Sequence, residues 1–470
     1  MPTLETDYLI IGAGAVGLSF ADVILQEDPD AHLTIVDKHS KPGGHWNDAY
    51  SFVALHQPSA TYGINSVDLG SNRIDEAGPN KGYYELASGP EVVAYFDNVM
   101  RDHLLPTGRV SYHPLSEYTG DHSFRGILSG EETKVTVRRK VVDGTFYDTS
   151  VPSTHSRKFD VADGVRIDVP GALPDLWKKP ESIPAHYCIL GAGKTAMDAG
   201  VWLIEAGIDP ANISWVRPRD SWMLNREYTQ PGVEFFEGVI ESQIRQMTAC
   251  AEASDAHDLF MRLEAGGDML RLDKDVVPTM FHYPTISVGE VERLQSITNV
   301  IRKGRVSSIE PGTLHLEQGD VTMPADTLYI DCTASAVHKT ETKPQFEEGL
   351  ITPQLMHVPL VTLNASITAF LEVHLDTDEE KNAMSAVSPF CHSIEGFPAT
   401  VMGTGMSRMR WAQYPELMAW LEKSRLNPAS RAIAQLKQED PAKLACLAPM
   451  QQAVMAAGPN LMKLAAMAQK

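Results

Sequence analysis

The sequence predicts an α/β fold built from two successive β-turn-α-β units with a helical C-terminal region, and three observations predict it. A glycine-rich turn follows a short apolar run twice, at Gly12-Ala13-Gly14-Ala15-Val16-Gly17 and at Gly191-Ala192-Gly193-Lys194-Thr195-Ala196. Each turn opens a helical pattern that leads to a second apolar run, the order of a nucleotide-binding unit. The last quarter of the chain carries helical patches at 379–384, 415–423, 430–438 and 450–469, and methionines Met450, Met455, Met462 and Met467 of the last are expected in the core.

Composition narrows the function classes. At 470 residues the chain exceeds what one hydrophobic core supports, so two or three domains are expected, and its 43% hydrophobic residues can fill them. A formal charge of −21 argues against nucleic acid or an anionic membrane surface as partner, since phosphate binding needs clustered Lys and Arg. There is no apolar run of about 18 residues. The first apolar run, 8–11, begins too soon for the charged region and cleavage site of a secretory leader, so a cytoplasmic protein is expected. Cys188, Cys250, Cys332, Cys391 and Cys446 are scattered with no CxxC pair, and the histidines lack HExxH spacing. A disulfide framework, a dithiol centre and a metal site are therefore not expected.

In the first unit the run 8–11 ends in the turn, a helix is expected over 16–27, and a second strand over 33–36 closes on Asp37. Gly12 permits the tight turn, Gly14 lets backbone approach a pyrophosphate, and Gly17 lets helix and strand pack closely. Asp37 lies twenty residues beyond Gly17, where a carboxylate accepts hydrogen bonds from an adenosine ribose; Lys38 beside it is counted among the cofactor contacts. In the second unit, strand 187–190 precedes the turn, a helix runs through Glu205 to Gly207, and a strand spans 213–216. The third fingerprint position is Ala196, small enough for the same packing. The segment Gly193-Lys194-Thr195 lacks the upstream glycine of a phosphate-binding ATPase loop, where Cys188 stands instead. After the strand come Arg217-Pro218-Arg219 in place of a carboxylate; an arginine fork grips a 2′-phosphate, so NADPH is expected over NADH, with Asp220 nearby.

Asp37 is followed by Lys38-His39-Ser40-Lys41-Pro42-Gly43-Gly44-His45-Trp46, and the second turn reads Gly191-Ala192-Gly193-Lys194-Thr195-Ala196-Met197-Asp198. These segments resemble the flavin-dependent monooxygenase superfamily, which follows its ribose acid with GGxW and binds NADPH at GxGxSAxD; Thr195 stands for the serine. The resemblance covers chiefly residues 5–60 and 185–225. It implies two Rossmann-like dinucleotide-binding domains of the FAD/NAD(P)-binding flavoprotein fold. The first would hold FAD, with Gly43, Gly44 and Trp46 beside the flavin, and the second would hold NADPH. Residues 331–335, Asp331-Cys332-Thr333-Ala334-Ser335, resemble the segment returning to the FAD domain, with Ala334 in place of a glycine and Thr333 and Ala334 as cofactor contacts.

Residues 1–170 with 326–470 are accordingly read as a discontinuous FAD domain, and 171–325 as an NADP domain entered through a proline-rich connector. Strands 134–142 and 145–148 are expected to form a hairpin about Asp143-Gly144, and the short runs in 159–169 to complete the FAD domain. The polar stretch 234–270 is helix-prone.

The chemistry implied by the family is hydride transfer from NADPH to FAD. A flavin hydroperoxide then oxygenates a small organic molecule, so the partners are that substrate and molecular oxygen. The loop 54–66 would run past the reactive face, making Gln57, and after it Asn65, candidates to hydrogen-bond the oxygenated flavin or the nicotinamide, and His45 a candidate proton donor. The FxGxxxH signature carried by many flavin-containing and Baeyer-Villiger enzymes is absent from 171–186, which leaves N-, S-, Baeyer-Villiger and aromatic oxygenation open. A flavin dehydrogenase or oxidase without oxygen insertion, and a non-catalytic FAD/NADP redox sensor, are the other readings. A homodimer is an expectation by analogy only.

Overall fold

The two glycine turns each end an interior strand, in two separate sheets, in the computed structural model, which describes residues 3–178, 180–334 and 341–468. In the first sheet β1 (Thr3–Ile11) lies between β2 (Leu33–Val36) and the strand Glu132–Asp143, parallel to both. Val110–His113 extends the sheet beyond β2, and Leu350–Ile351 extends it on the other side. The second sheet repeats this arrangement. There β3 (His186–Leu190) lies between β4 (Ile213–Val216) and Thr327–Asp331, flanked by Asn299–Ile301 and Arg166–Asp168, all parallel. In both sheets the chain order reverses beside the first strand, and a ligand crevice opens at such a reversal, outside the strands' carboxyl ends.

β2, β3 and β4 are buried along their whole length, as expected for parallel strands covered on both faces. α1 (Ala15–Glu27) follows the first turn and stops where Asp28 turns extended before Pro29. α2 (Lys194–Glu205) follows the second and stops before Gly207, whose φ of +90° a side chain would resist. These boundaries fall within a residue or two of those read from the sequence.

Several expectations are corrected. No hairpin forms at Asp143-Gly144: Glu132–Asp143 is an interior strand beside β1, and Gly144 donates its N–H to the Ile11 carbonyl at the rim of the first turn. The runs in 159–169 leave the first sheet. Asp160–Val161 pairs with Val306–Glu310, and Arg166–Asp168 with Thr327–Asp331, so the second unit extends beyond 171–325 at both ends. The last helix, Leu447–Met467, buries only Ala457, Leu461, Leu464 and Ala465, three of them in a cluster with residues of Phe236–Glu252 and Ala256–Ala265. Met455 (71% exposed), Met462 (59%) and Met467 (46%) point outward instead of into the core, and Met450 is half-buried. Gln469 lies outside the described residues.

No helix among the described residues is long and apolar enough to cross a membrane.

Candidate functional site: two glycine turns and the loop between them

The glycines of each turn divide into those the protein needs and those it does not. At Gly12, with φ +94°, a Cβ would lie 2.8 Å from Thr145 Cγ2, and at Gly17 it would lie 2.0 Å from the Gly12 carbonyl oxygen. At Gly191, with φ +115°, it would lie 2.7 Å from the Cys332 carbonyl oxygen. Chain packing alone demands these three. A Cβ on Gly14 would make only ordinary contact with the Gly44 Cα at 3.4 Å, and one on Gly193 would meet nothing within 4 Å. Both residues are in extended conformations open to any side chain. Their lack of a side chain opens space in front of α1 and α2, whose first turns have no side-chain cap and no acidic residue. Free N–H groups at the positive end of a helix, with a cleared approach, suit a diphosphate. Both turns therefore fit a dinucleotide.

Asp37 is buried at the end of β2 with Oδ2 accepting the Ala13 N–H at 2.6 Å. Its Oδ1 accepts the His39 N–H at 2.7 Å and faces His39 Nδ1 at 2.8 Å, while His39 Nε2 lies 2.8 Å from Asp48 Oδ2. His39 thus joins Asp37 to the end of the GGHW turn, a role with no sequence signal beyond its place two residues after Asp37. The bond to Asp37 and that to Asp48 hold the imidazole above its ordinary 6.5, although burial opposes them. Because the folded value is raised, the clamp contributes fully below pH 6.5 and is lost as pH climbs through the raised value. The melting temperature of the wild type, measured relative to His39→Gln, should fall across that window. Parallel pH profiles for the two proteins would contradict the clamp.

Gly43 donates to the Ala13 carbonyl at 2.8 Å, which brings the GGHW turn against the first glycine turn. Gly44 faces Gly14, and Trp46 Nε1 donates to the Tyr62 hydroxyl at 2.8 Å, tying the turn to the loop 54–66. His45 stacks on Trp46, and burial pushes its imidazole down to about 4. It is neutral at neutral pH and carries no spare proton, which counts against the donor role. Gln57 gives its amide hydrogens to the Thr61 carbonyl and hydroxyl, at 3.1 and 3.2 Å. Asn65 Oδ1 accepts from the Ser424 hydroxyl at 2.8 Å, far along the chain. Lys38 is exposed.

At the second turn, Lys194 is folded back onto Asp198 and Glu290, Thr195 is half-buried, and Asp198 accepts the Tyr50 hydroxyl at 2.7 Å. Arg217 is buried, lies over Trp215 at 5.0 Å and pairs with Asp220 at 3.0 Å. Asp220 also holds Arg302, at the end of the neighbouring strand, at 3.1 Å. Arg217 is thus already paired, and so is the third-exposed Arg302, which the sequence did not single out and which also pairs with Asp273 at 2.9 Å; Arg219 is exposed. Thr333 is exposed and donates to Asp331, and Ala334 is half-buried; both follow Cys332, which abuts the second turn. Ser335 lies outside the described residues.

Residues 10–79 match the family of NAD(P)-binding Rossmann-like domains. The uncharacterized protein Rv2000 of Mycobacterium tuberculosis is 39% identical over 462 residues, which are 98% of this chain and 85% of that protein. The uncharacterized protein Mb2023 of Mycobacterium bovis matches with the same identity and coverage. This chain belongs to their family. Among solved structures, the polycyclic ketone monooxygenase of Thermothelomyces thermophila is 14% identical and superposes with a TM-score of 0.51 over 91% of this chain and 86% of that one. This chain therefore shares the fold of that monooxygenase, with a Rossmann-like first unit and a helical C-terminal region.

Two arginines that the sequence did not reveal fix the loop 54–66 in this family member. Arg425, buried, donates to the carbonyls of Ala60, Tyr62 and Ile64 at 2.8, 2.7 and 2.9 Å. Arg226, 1% exposed, donates to the His56 carbonyl at 3.3 Å from the other side. Neither stands in a motif, and each reaches the loop from more than 150 residues away in sequence. Among the described residues no group of three or more His, Cys, Asp and Glu could hold a metal ion.

Proposed function

We propose that the protein is an FAD- and NADPH-dependent oxidoreductase that oxygenates a small organic molecule. The observation that carries this reading is the pair of uncapped glycine turns cleared by Gly14 and Gly193, the first bonded to the buried Asp37 and the second beside a strand followed by Arg217-Pro218-Arg219. Asp37, oriented by Ala13 and His39, would hold the adenosine ribose of FAD. The α1 N-terminus would hold its diphosphate, and the Gly43–Trp46 turn with the loop 54–66 would flank the flavin. The α2 N-terminus would take the NADPH diphosphate, with the exposed Arg219 on the 2′-phosphate. When bound, FAD supplies the hydride and oxygen chemistry, and the chain binds, orients and shields it. The resemblance in GGHW and GAGKTAMD and the shared fold support this assignment. The five unpaired thiols suit a cytoplasmic location.

Turnover with NADPH and ¹⁸O₂ over a panel of amines, sulfides and ketones tests the reaction type. One labelled oxygen in the product, the other leaving as water, is the expected result. NADPH oxidation that yields only hydrogen peroxide or a dehydrogenated product would place the protein among oxidases or dehydrogenases.

A further inference from the structure

Four buried charges bridge the two units. Lys194, the first residue of α2, places its ammonium against Asp198 and 3.4 Å from Glu290 Oε1. Glu290 Oε2 accepts from Arg226 Nη1 at 2.5 Å, and burial pushes this carboxyl up but Lys194 and Arg226 outweigh it and hold it down to about 2. Arg226 in turn donates to Asn80 Oδ1 and to the His56 carbonyl, both in the first unit. Asp198 accepts from Tyr50, also in the first unit. A cavity of about 280 Å³ beside this cluster is lined by Phe52, Leu55 and Trp202 together with Lys194, Asp198, Arg226 and Glu290. A buried ion-pair network of this kind is weak evidence for stability alone, because the desolvation of its members offsets most of their attraction.

Lys194 directly follows Gly193, so its stem begins where the diphosphate of the second site would sit. That dianion and the two carboxylates compete for one ammonium, and the cavity leaves the side chain room to turn. When Lys194 goes to the diphosphate, Glu290 keeps only Arg226 as its cation, and the pull on the guanidinium that holds the His56 carbonyl changes.

We propose that Lys194 is a positioning residue that couples the second nucleotide site to the loop 54–66 of the first, through Glu290 and Arg226. The inference rests on the two-site reading above. It makes occupancy of one site alter affinity at the other, by the same factor in both directions.

The test is titration of the flavin-free protein with FAD, followed by fluorescence, with and without saturating NADP⁺, in wild type, Lys194→Met and Glu290→Gln. Melting curves of each variant report folding separately. The expected result is a ratio of the two FAD dissociation constants of about 5-fold or more in the wild type, falling to near one in both variants while each still binds FAD. A wild-type ratio of one, or an unchanged ratio in folded Lys194→Met, overturns the coupling while leaving the two sites in place. Failure of the wild type to bind NADP⁺ at all overturns the second site and the coupling with it.

Discussion

Gly17→Ala is expected to cost the first unit about 3 kcal/mol or more, at the upper end of what overpacking does, and to abolish flavin retention. The added Cβ would lie 2.0 Å from the Gly12 carbonyl oxygen and 3.1 Å from Ile10 Cγ2. The first of these is backbone in the glycine turn, so relief requires α1 to move away from β1. That movement displaces the N–H groups that face the diphosphate, and affinity falls with stability. For a unit of this size the melting temperature should drop by about 10 °C. The contrasting substitution is Gly14→Val. Its Cβ would make only ordinary contact with the Gly44 backbone, at 3.4 Å from the Cα, so folding should survive with a melting temperature much closer to wild type than that of Gly17→Ala, while FAD binding is lost. If Gly14→Val and Gly17→Ala unfolded the protein equally, Gly14 would be a packing glycine and the cleared approach to α1 would have no meaning.

Arg425→Met should destabilise by about 3 to 5 kcal/mol, the range for removing one partner from a buried charged cluster. Methionine keeps much of the stem's length but leaves the carbonyls of Ala60, Tyr62 and Ile64 without this donor. Arg425 is 5% exposed, and burial pushes its pKa down, with Tyr95 and Asp68 opposing that shift. Chemical denaturation of the two proteins measures the loss. A change below about 1 kcal/mol would mean that the loop 54–66 is held from elsewhere. Arg425→Lys should recover only part of the stability, since one ammonium cannot span three carbonyls that the fork reaches.

The parts of this fold that could be read in advance were those with local physical signatures. A glycine turn between an apolar strand and a helix fixes its own geometry, and β2 and β4 came out with the bounds read from their apolar runs. The helix Val361–His374 left no such signature. It is buried almost all round against α1, so its Thr, Asn and Ser residues interrupt any amphipathic stripe. Asp143-Gly144 was misread because Asp-Gly favours a hairpin turn wherever it stands, and only the neighbouring β1 shows that the preceding strand is parallel and interior. The site divides in the same way. Gly12, Gly14, Gly17, Asp37, Gly191 and Gly193 were visible in the fingerprint. Arg217 was rightly placed at the strand end but was already paired with Asp220, a contact that depends on the loop's turn. Arg226, Arg302 and Arg425 act across tertiary contacts, for which single arginines carry no pattern. His39 was legible only as a neighbour of Asp37, since its second carboxylate, Asp48, comes from the far side of the GGHW turn.

The central claim is that two nucleotide sites face one another functionally, with flavin at the first and NADPH at the second. Anaerobic mixing of FAD-loaded wild type and Gly193→Val with NADPH, while the visible absorption of the oxidised flavin is recorded, tests it most directly. The account predicts rapid bleaching in the wild type, slower bleaching with NADH, and none in Gly193→Val, whose flavin content and melting temperature should match wild type. A wild-type flavin that neither NADPH nor NADH bleaches, or a Gly193→Val protein reduced as fast as wild type, would contradict it.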